Sequence, residues 1–279
     1  MLKDIAKDKF LQAAAGGRSL EEQWDWIRKE KIQSKPIDLR NKLLWSLGIE
    51  EPKEKAETVV LLGCYPLFRR PLSVRNYFML LNRLGIDFTY LPEEMCCGLA
   101  PLEIAKGEDR KRAERASSEF LGSNLEMVKK AGAKNAVYLC VWCAHMLKNF
   151  HAQSSPIALM HYPDILLDRL SKERLRVEPK VVGYYEGCHR RNKQWAPGVT
   201  LEWDKYREVL NNIEGLKVVK MPDNVCCIDS PERIIDAAQD LNLDTVVCSC
   251  LTCDIRLRDV SRGRVRLQYY SDLLLEALG

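Results

Sequence analysis

One order of cysteines occurs twice in this chain, and each group of cysteines follows a short apolar run. The first set is Cys64, Cys96-Cys97 and Cys140-Val141-Trp142-Cys143; the second is Cys188, Cys226-Cys227 and Cys250-Leu251-Thr252-Cys253. Only Cys248 of the eleven cysteines falls outside the pattern. In the first half Thr58–Leu62 ends at Gly63-Cys64, Asp87–Leu91 leads to Cys96-Cys97-Gly98, and Ala136–Leu139 runs into Cys140. In the second half Val181–Tyr185 leads to Gly187-Cys188, Leu216–Met221 to Cys226-Cys227, and Thr245–Val247 to Cys248 and Cys250. The run Thr58–Leu62 suits a strand buried on both faces, and helical stretches separate the runs. The alternation predicts parallel α/β units, with every cysteine group at the C-terminal end of a strand, where open α/β sheets place their ligand sites.

A second repeat supports duplication without reference to cysteine. Tyr162–Leu170 closes the first half and Tyr270–Leu278 the second, each reading as an Asp-containing helix start before an apolar stripe. The fold class expected is therefore α/β: two pseudo-symmetric Rossmann-like parallel-sheet halves, each with a five-Cys motif, preceded by a helical arm. The boundaries read as residues 1–56 for the arm and linker, 57–178 for the first half and 179–279 for the second. Within the arm, Ser19 with Glu22 forms a capping box before Trp24, Trp26 and Ile27, and a second helix is expected from Asp38 to Leu47, stopped by Gly48. Two further helices are expected from Val74 to Leu84 and from Asp109 to Ala131. The arm shows no chemistry of its own; it suits capping the fold or docking a partner.

Bulk numbers exclude several classes. With 279 residues, 46% hydrophobic and 29% charged, the chain can bury a core without disulfide staples. Its first ten residues are charged throughout and lack an apolar signal core, and no apolar stretch approaches the ~20 residues of a membrane span. Cytoplasmic localisation, with reduced thiols, is the expectation. The formal charge of +4 is too balanced to argue for nucleic acid. Acids interleave with or flank the basic runs Arg110-Lys111-Arg112 and Lys172–Arg176, as on a solvated helix face.

Cys-x-x-Cys turns two thiolates toward one centre, a geometry shared by zinc and iron sites. Adjacent cysteines in extended backbone point to opposite faces, so each Cys-Cys pair needs a bend, which Gly98 permits after the first. Five thiols exceed the four of a tetrahedral ion or an ordinary cubane, so five converging cysteines suggest an unusual cluster or an exchangeable ligand. Cys248 reads as a small buried hydrophobe, with metal ligation the alternative.

On these residues the chain resembles the cysteine-rich CCG-domain family, and specifically the B subunits of heterodisulfide reductases. Gly63-Cys64-Tyr65-Pro66, Cys96-Cys97-Gly98 and Cys140-x-x-Cys143 carry the first copy; Gly187-Cys188-His189, Cys226-Cys227 and Cys250-x-x-Cys253 carry the second. The resemblance covers residues 57 to 279. It implies that Cys64, Cys96, Cys97, Cys140 and Cys143 hold one noncubane [4Fe-4S] cluster and Cys188, Cys226, Cys227, Cys250 and Cys253 another. It further implies a disulfide or thiol substrate between the two clusters, possible attachment of that substrate to protein, and an oxidoreductase acting within a complex. The partners implied are a ferredoxin-like iron-sulfur subunit and a flavin-containing subunit; a non-catalytic electron-relay subunit of a flavoprotein dehydrogenase is the alternative. No G-x-G-x-x-G follows a strand, which leaves hydride chemistry to a partner. The second copy departs from the first. Ile228 stands at the position of Gly98, and 22 residues separate Cys227 from Cys250 against 42 between Cys97 and Cys140. Zinc or altered ligation, with Cys248 as an extra thiol, is the alternative there. Around the sets, His189 suits a hydrogen bond to a cluster sulfur or a carbonyl, His145 a surface or helix-start role, and Trp142 a shield over a cluster or a place in the core.

Overall fold

Thr58–Leu61 forms β1, all four residues buried, as a strand covered on both faces requires. In the computed structural model, which describes residues 16–33, 35–151, 156–187, 201–222 and 225–279, β1 is central to a parallel sheet. Phe88–Tyr90 is β2, Asn135–Tyr138 is β3 and Ala158–His161 is β4, in the order β2-β1-β3-β4. The second half repeats that order: β5 (Arg176–Tyr185), β6 (Glu214–Lys220), β7 (Thr245–Cys248) and β8 (Arg266–Tyr269) lie as β6-β5-β7-β8. Every pairing in both sheets is parallel. Two four-stranded sheets of one topology are the α/β architecture of two pseudo-symmetric halves expected from the repeated cysteine order, and the helical arm precedes them.

The fourth strand of each half is new. Ala158-Leu159-Met160-His161 and Arg266-Leu267-Gln268-Tyr269 are short and of mixed polarity, and each pairs on one side only, beside β3 and β7. β2 and β6 lie at the edges as well, but β4 and β8 carry almost no β-branched or aromatic residues, and with these goes the sequence signal. The segment after β4 is also less regular than its counterpart. Asp164–Leu166 is a 3₁₀ turn running into the short helix Leu167–Leu170, whereas Tyr270–Ala277 is one helix.

The arm folds as its caps dictate. Ser19 and Glu22 make the reciprocal capping box on the helix Leu20–Glu30, with bonds of 3.3 and 2.7 Å. The next helix is Ile37–Ser46, after which Gly48 takes φ +69°. Trp24 and Ile27 enter the core formed by Val59 and Leu61 of β1, Ala136 and Tyr138 of β3, and the helix Glu108–Lys130. That long helix buries Ala113, Ala116, Phe120, Leu121, Leu125 and Val128, a stripe at helical spacing. Among the described residues no helix is long and apolar enough to cross a membrane.

The described residues form two compact units, those within 1–71 with those within 87–161, and those within 72–86 with those within 162–279. The helix Pro71–Arg83, which follows β1 in sequence, thus packs almost wholly in the second unit. Ser73 and Asn76 donate to the Asp272 carboxylate at 2.7 and 3.0 Å, the Tyr77 hydroxyl donates to the Tyr162 carbonyl at 3.2 Å, and Arg83 donates to the Leu278 carbonyl at 2.6 Å. Tyr77 meets Tyr162 edge-on with ring centroids 5.5 Å apart, and Tyr162 lies 4.9 Å from Tyr269.

Candidate metal centre

The first unit brings its five cysteines to the C-terminal ends of β1, β2 and β3. Cys64 lies in the turn after β1, Cys96 and Cys97 in the loop after β2, and Cys140 immediately before the helix Val141–His151, whose first turn carries Cys143. Cys96 and Cys64 approach to 3.5 Å between sulfurs, and Cys143 and Cys97 to 3.7 Å. A Cβ on Gly63 would lie 3.5 Å from the Cys143 sulfur and 3.6 Å from the Cys140 Cβ, which places the Cys64 turn against the Cys-x-x-Cys. None of the ten described cysteines is in a disulfide.

The Cys-Cys bend is made as glycine allows. Gly98 has φ +73°, and its N–H points at the Cys96 sulfur at 3.5 Å. The adjacent thiols thereby turn to different neighbours: Cys96 to Cys64, Cys97 to Cys143. Two polar side chains of the helix Glu108–Lys130 hold this loop. The Asn124 amide bonds both the N–H and the carbonyl of Met95, at 2.7 and 2.8 Å, and Ser117 donates to the Gly98 carbonyl at 3.4 Å.

Buried charge ties the loop to β1. The Glu94 carboxylate accepts the N–H groups of Leu62 and Gly63, each at 2.8 Å. It also pairs at 3.6 Å with Arg40, a fully buried guanidinium from the arm helix Ile37–Ser46. Arg40 further donates to the carbonyls of Leu91, Pro92 and Glu94. Burial pushes the Glu94 carboxyl up, opposed by Arg40 and the two N–H donors; burial likewise lowers Arg40 against the pull of Glu94. The arm reaches Cys96 as well. The Lys31 carbonyl accepts the Cys96 N–H at 2.6 Å, and Gln33 faces the Cys96 sulfur at 3.7 Å while its amide nitrogen donates to Gln23 at 3.1 Å. The arm, expected to have no part in the chemistry, is a wall of this site.

The thiols are strongly coupled. Hydrogen bonds from Cys64 and Cys97 hold the Cys96 thiol well below its ordinary range, helped by Gly98. Cys64 is pushed up by its bond to Cys96, then by burial, and Cys143 by its bonds to Cys140 and Cys97. For Cys97 the bond to Cys143 acts downward, but Cys96 and burial together outweigh it. Tyr138, at the end of β3, is buried beside them, and burial pushes its phenol well up, with Cys143, Glu94 and Cys97 acting in the same direction.

The second unit repeats the local geometry with fewer described members. Cys188 and His189 lie outside the described residues. Gly187 has φ +87°, and a Cβ there would sit 3.4 Å from the Cys253 sulfur, as at Gly63 and Cys143. Cys250 caps the helix Leu251–Ser261, and Cys253 lies in its first turn. Cys227 hydrogen-bonds Cys226 and Cys253, and with burial the balance pushes its thiol up. The bend after Cys226-Cys227 is made without glycine. Ile228 donates its N–H to the Cys226 sulfur at 3.4 Å, and Ser230 to the Cys226 carbonyl at 3.0 Å, before the helix Pro231–Asp240 begins. One helix there replaces the two, Leu99–Ile104 and Glu108–Lys130, that the longer interval of the first half contains. Cys248 is the buried last residue of β7. His145 is buried inside its helix rather than at the surface, 6.1 Å from the half-buried Trp142 ring.

Thiols at strand ends and helix starts, met by N–H donors, form a donor set for a thiophilic metal. The sulfur pairs are close to the ~3.8 Å edge of a tetrahedral thiolate site with metal–sulfur bonds of about 2.3 Å. Among the described residues no three His, Cys, Asp or Glu groups gather within reach of one ion. A group of several metal atoms takes its thiolates on different atoms, and pairs of sulfurs suit it.

Comparison with known proteins places residues 58–148 in the cysteine-rich CCG domain family. Over 273 residues the chain is 26% identical to a dihydromethanophenazine:CoB--CoM heterodisulfide reductase subunit from Methanosarcina acetivorans, an alignment covering 87% of this chain and 64% of that protein. It is 26% identical over 229 residues to the probable glycolate oxidase iron-sulfur subunit of Bacillus subtilis, covering 72% of this chain and 50% of that protein. The chain thus spans less than two thirds of the length of these relatives. Among solved structures, an Asp/Glu racemase homologue from Yersinia pestis aligns with a TM-score of 0.39 and 12% identity over 80% of this chain and 97% of that one, a likeness from which nothing about the site follows.

Proposed function

We propose that this chain, which carries a CCG cysteine-rich domain over residues 58–148, is an iron-sulfur subunit of a heterodisulfide-reductase-like complex that reduces a disulfide or oxidises thiols. The observation that carries the reading is the pairing of Cys64 with Cys96 and of Cys97 with Cys143 at the ends of three parallel strands. Cys64, Cys96, Cys97, Cys140 and Cys143 would hold one noncubane [4Fe-4S] cluster, and Cys188, Cys226, Cys227, Cys250 and Cys253 a second. When bound, the clusters supply one-electron steps by which a disulfide takes up two electrons and two protons to become two thiols, or the reverse. The chain's own residues would hold the clusters and keep water out: Cys96, Cys97, Cys143, Cys227, Cys250 and Cys253 are buried, and the Glu94–Arg40 pair fixes the segments that lead to Cys64 and to Cys96-Cys97. Electrons would reach the site from a ferredoxin-like subunit and a flavin-containing subunit.

Anaerobic purification with iron, acid-labile sulfide and zinc assays tests the reading. Iron and sulfide near four of each per site are expected; a colourless protein carrying only zinc would overturn it. Cys97→Ser is expected to lose about half of the iron while the second unit stays folded, measured by iron assay and hydrogen exchange. Full iron retention would count against ligation by the first set. The likeness to a glycolate oxidase iron-sulfur subunit favours a second reading, an electron relay with no sulfur substrate of its own. Adding candidate disulfides to the reduced protein separates the two: substrate-dependent change in the cluster EPR signal supports catalysis, and its absence across disulfide classes supports the relay.

A further inference from the structure

Tyr138 is 1% exposed, and its hydroxyl has no hydrogen-bond partner among the described residues. Such a group is costly to bury, since a phenol O–H taken from water forfeits a hydrogen bond unless something replaces it. Its direction follows from strand geometry. Side chains alternate across a parallel sheet, and Val59, Leu61, Ala136 and Tyr138 share one face. That face is lined by Cys96, Cys97 and Cys143, with Cys64 and Cys140 packed partly buried against it. The hydroxyl is thus an orphan donor on the thiol-bearing face, at the last residue of β3 and two residues before Cys140.

The second half holds a counterpart of different chemistry. Matching Cys140-x-x-Cys143 to Cys250-x-x-Cys253 sets Tyr138 against Cys248. The sheet registers agree: Tyr138 pairs with Leu61 and His161, and Cys248 with Tyr185 and Tyr269, on corresponding strands. The spare thiol is therefore the residue that stands where the first half has its phenol. A phenol is a long, strong donor; a thiol is short and a weak one.

Resting on the iron-sulfur reading above, we propose that the Tyr138 hydroxyl donates a hydrogen bond to a sulfur of the cluster held by the first set, and that this bond raises the reduction potential of the first cluster. A hydrogen bond to cluster sulfur stabilises the added electron, and so is one of the levers that set potential. No bond is made or broken; the hydroxyl tunes the site and leaves the two halves electrochemically unequal.

The test uses the full chain with its clusters reconstituted anaerobically, comparing the parent with Tyr138→Phe in an EPR-monitored redox titration. The first-site signal is the one that Cys97→Ser abolishes. Iron and sulfide content are expected to stay the same, the first-site midpoint to fall, and the second-site midpoint to stay put. The metal-free variant should be at least as heat-stable as the parent, because Phe removes an unpaired buried hydroxyl and keeps the ring. An unchanged first-site midpoint, or equal shifts at both sites, overturns the proposal. Proton ENDOR on the parent after transfer to D₂O gives an independent readout if the variant loses its cluster: an exchangeable proton coupled to the first cluster is expected, and finding none overturns the proposal. A parent that binds neither iron nor sulfide fails the iron-sulfur reading itself, a distinct result.

Discussion

Arg40 shows at the residue scale how much of the first site is held from outside its motif. A guanidinium with no exposure is stable only because Glu94 and three carbonyls surround it. Arg40→Ala leaves the Glu94 carboxylate buried against its two N–H donors with its countercharge gone. A stability loss of roughly 3–5 kcal/mol is expected by urea unfolding of the metal-free protein. Trp45→Ala, on the same helix but 80% exposed, should change stability by no more than about 0.5 kcal/mol. Gly98 is a second sensitive residue for two separable reasons. Its φ of +73° disfavours any side chain, and a Cβ would stand 2.6 Å from the Ser117 hydroxyl. Gly98→Ala should lose about 1–2 kcal/mol from the backbone alone, and more from the clash. Adding Ser117→Ala should return only the clash component, which thermal melts of the single and double variants would resolve.

At the scale of elements, the two Cys-Cys turns reach one result by different routes. Each pair is followed by an N–H donated back to the first sulfur, from Gly98 at 3.5 Å and from Ile228 at 3.4 Å. Absence of glycine in the second copy is therefore no defect. Ile228 is buried and not among the residues with positive φ, so its turn has no need of left-handed freedom. Ile228→Gly is expected to destabilise the second unit, by about 2–5 kcal/mol on the scale of large-to-small core changes, rather than improve its site. Denaturant midpoints of that unit followed by hydrogen exchange would check it; a gain in stability would contradict this account of the turn. The apolar runs of β1, β3, β5 and β7 were legible because a central strand demands them; β2 and β6 are edge strands, yet Phe88-Thr89-Tyr90 and Leu216-Lys217-Val218-Val219 carry the aromatic and β-branched residues of a strand. The other two edge strands, β4 and β8, carry almost no such residues, and their sequences accordingly do not announce them.

For the whole molecule, sequence order and packing part company at the helix Pro71–Arg83. It connects β1 to β2, yet its partners Asp272, Tyr162 and Leu278 belong to the second unit. Tyr77, fully buried there, is the anchor. Tyr77→Ala should cost about 3–5 kcal/mol, the range for truncating a large buried aromatic. The loss should speed hydrogen exchange in β5 to β8 while β1 to β4 keep their protection, although Tyr77 lies in the first half of the chain. Faster exchange confined to β1 to β4 would refute this assignment.

The amino-acid sequence by itself determined the duplicated α/β order, the strand ends that carry thiols and the inequality of the two cysteine sets. Those features are local: an apolar run, a glycine and a cysteine spacing each express their requirement within a few residues. Tertiary structure alone decided what surrounds the thiols. Arg40, Gln33, Glu94, Asn124 and Tyr138 belong to no cysteine motif. Three of them act across wide separations: 54 residues part Arg40 from the Glu94 carbonyl, 63 part Gln33 from Cys96, and 29 part Asn124 from Met95. Burial turns an ordinary arginine or tyrosine into a structural charge or an orphan donor, and burial is a property of the folded chain that no spacing along it encodes.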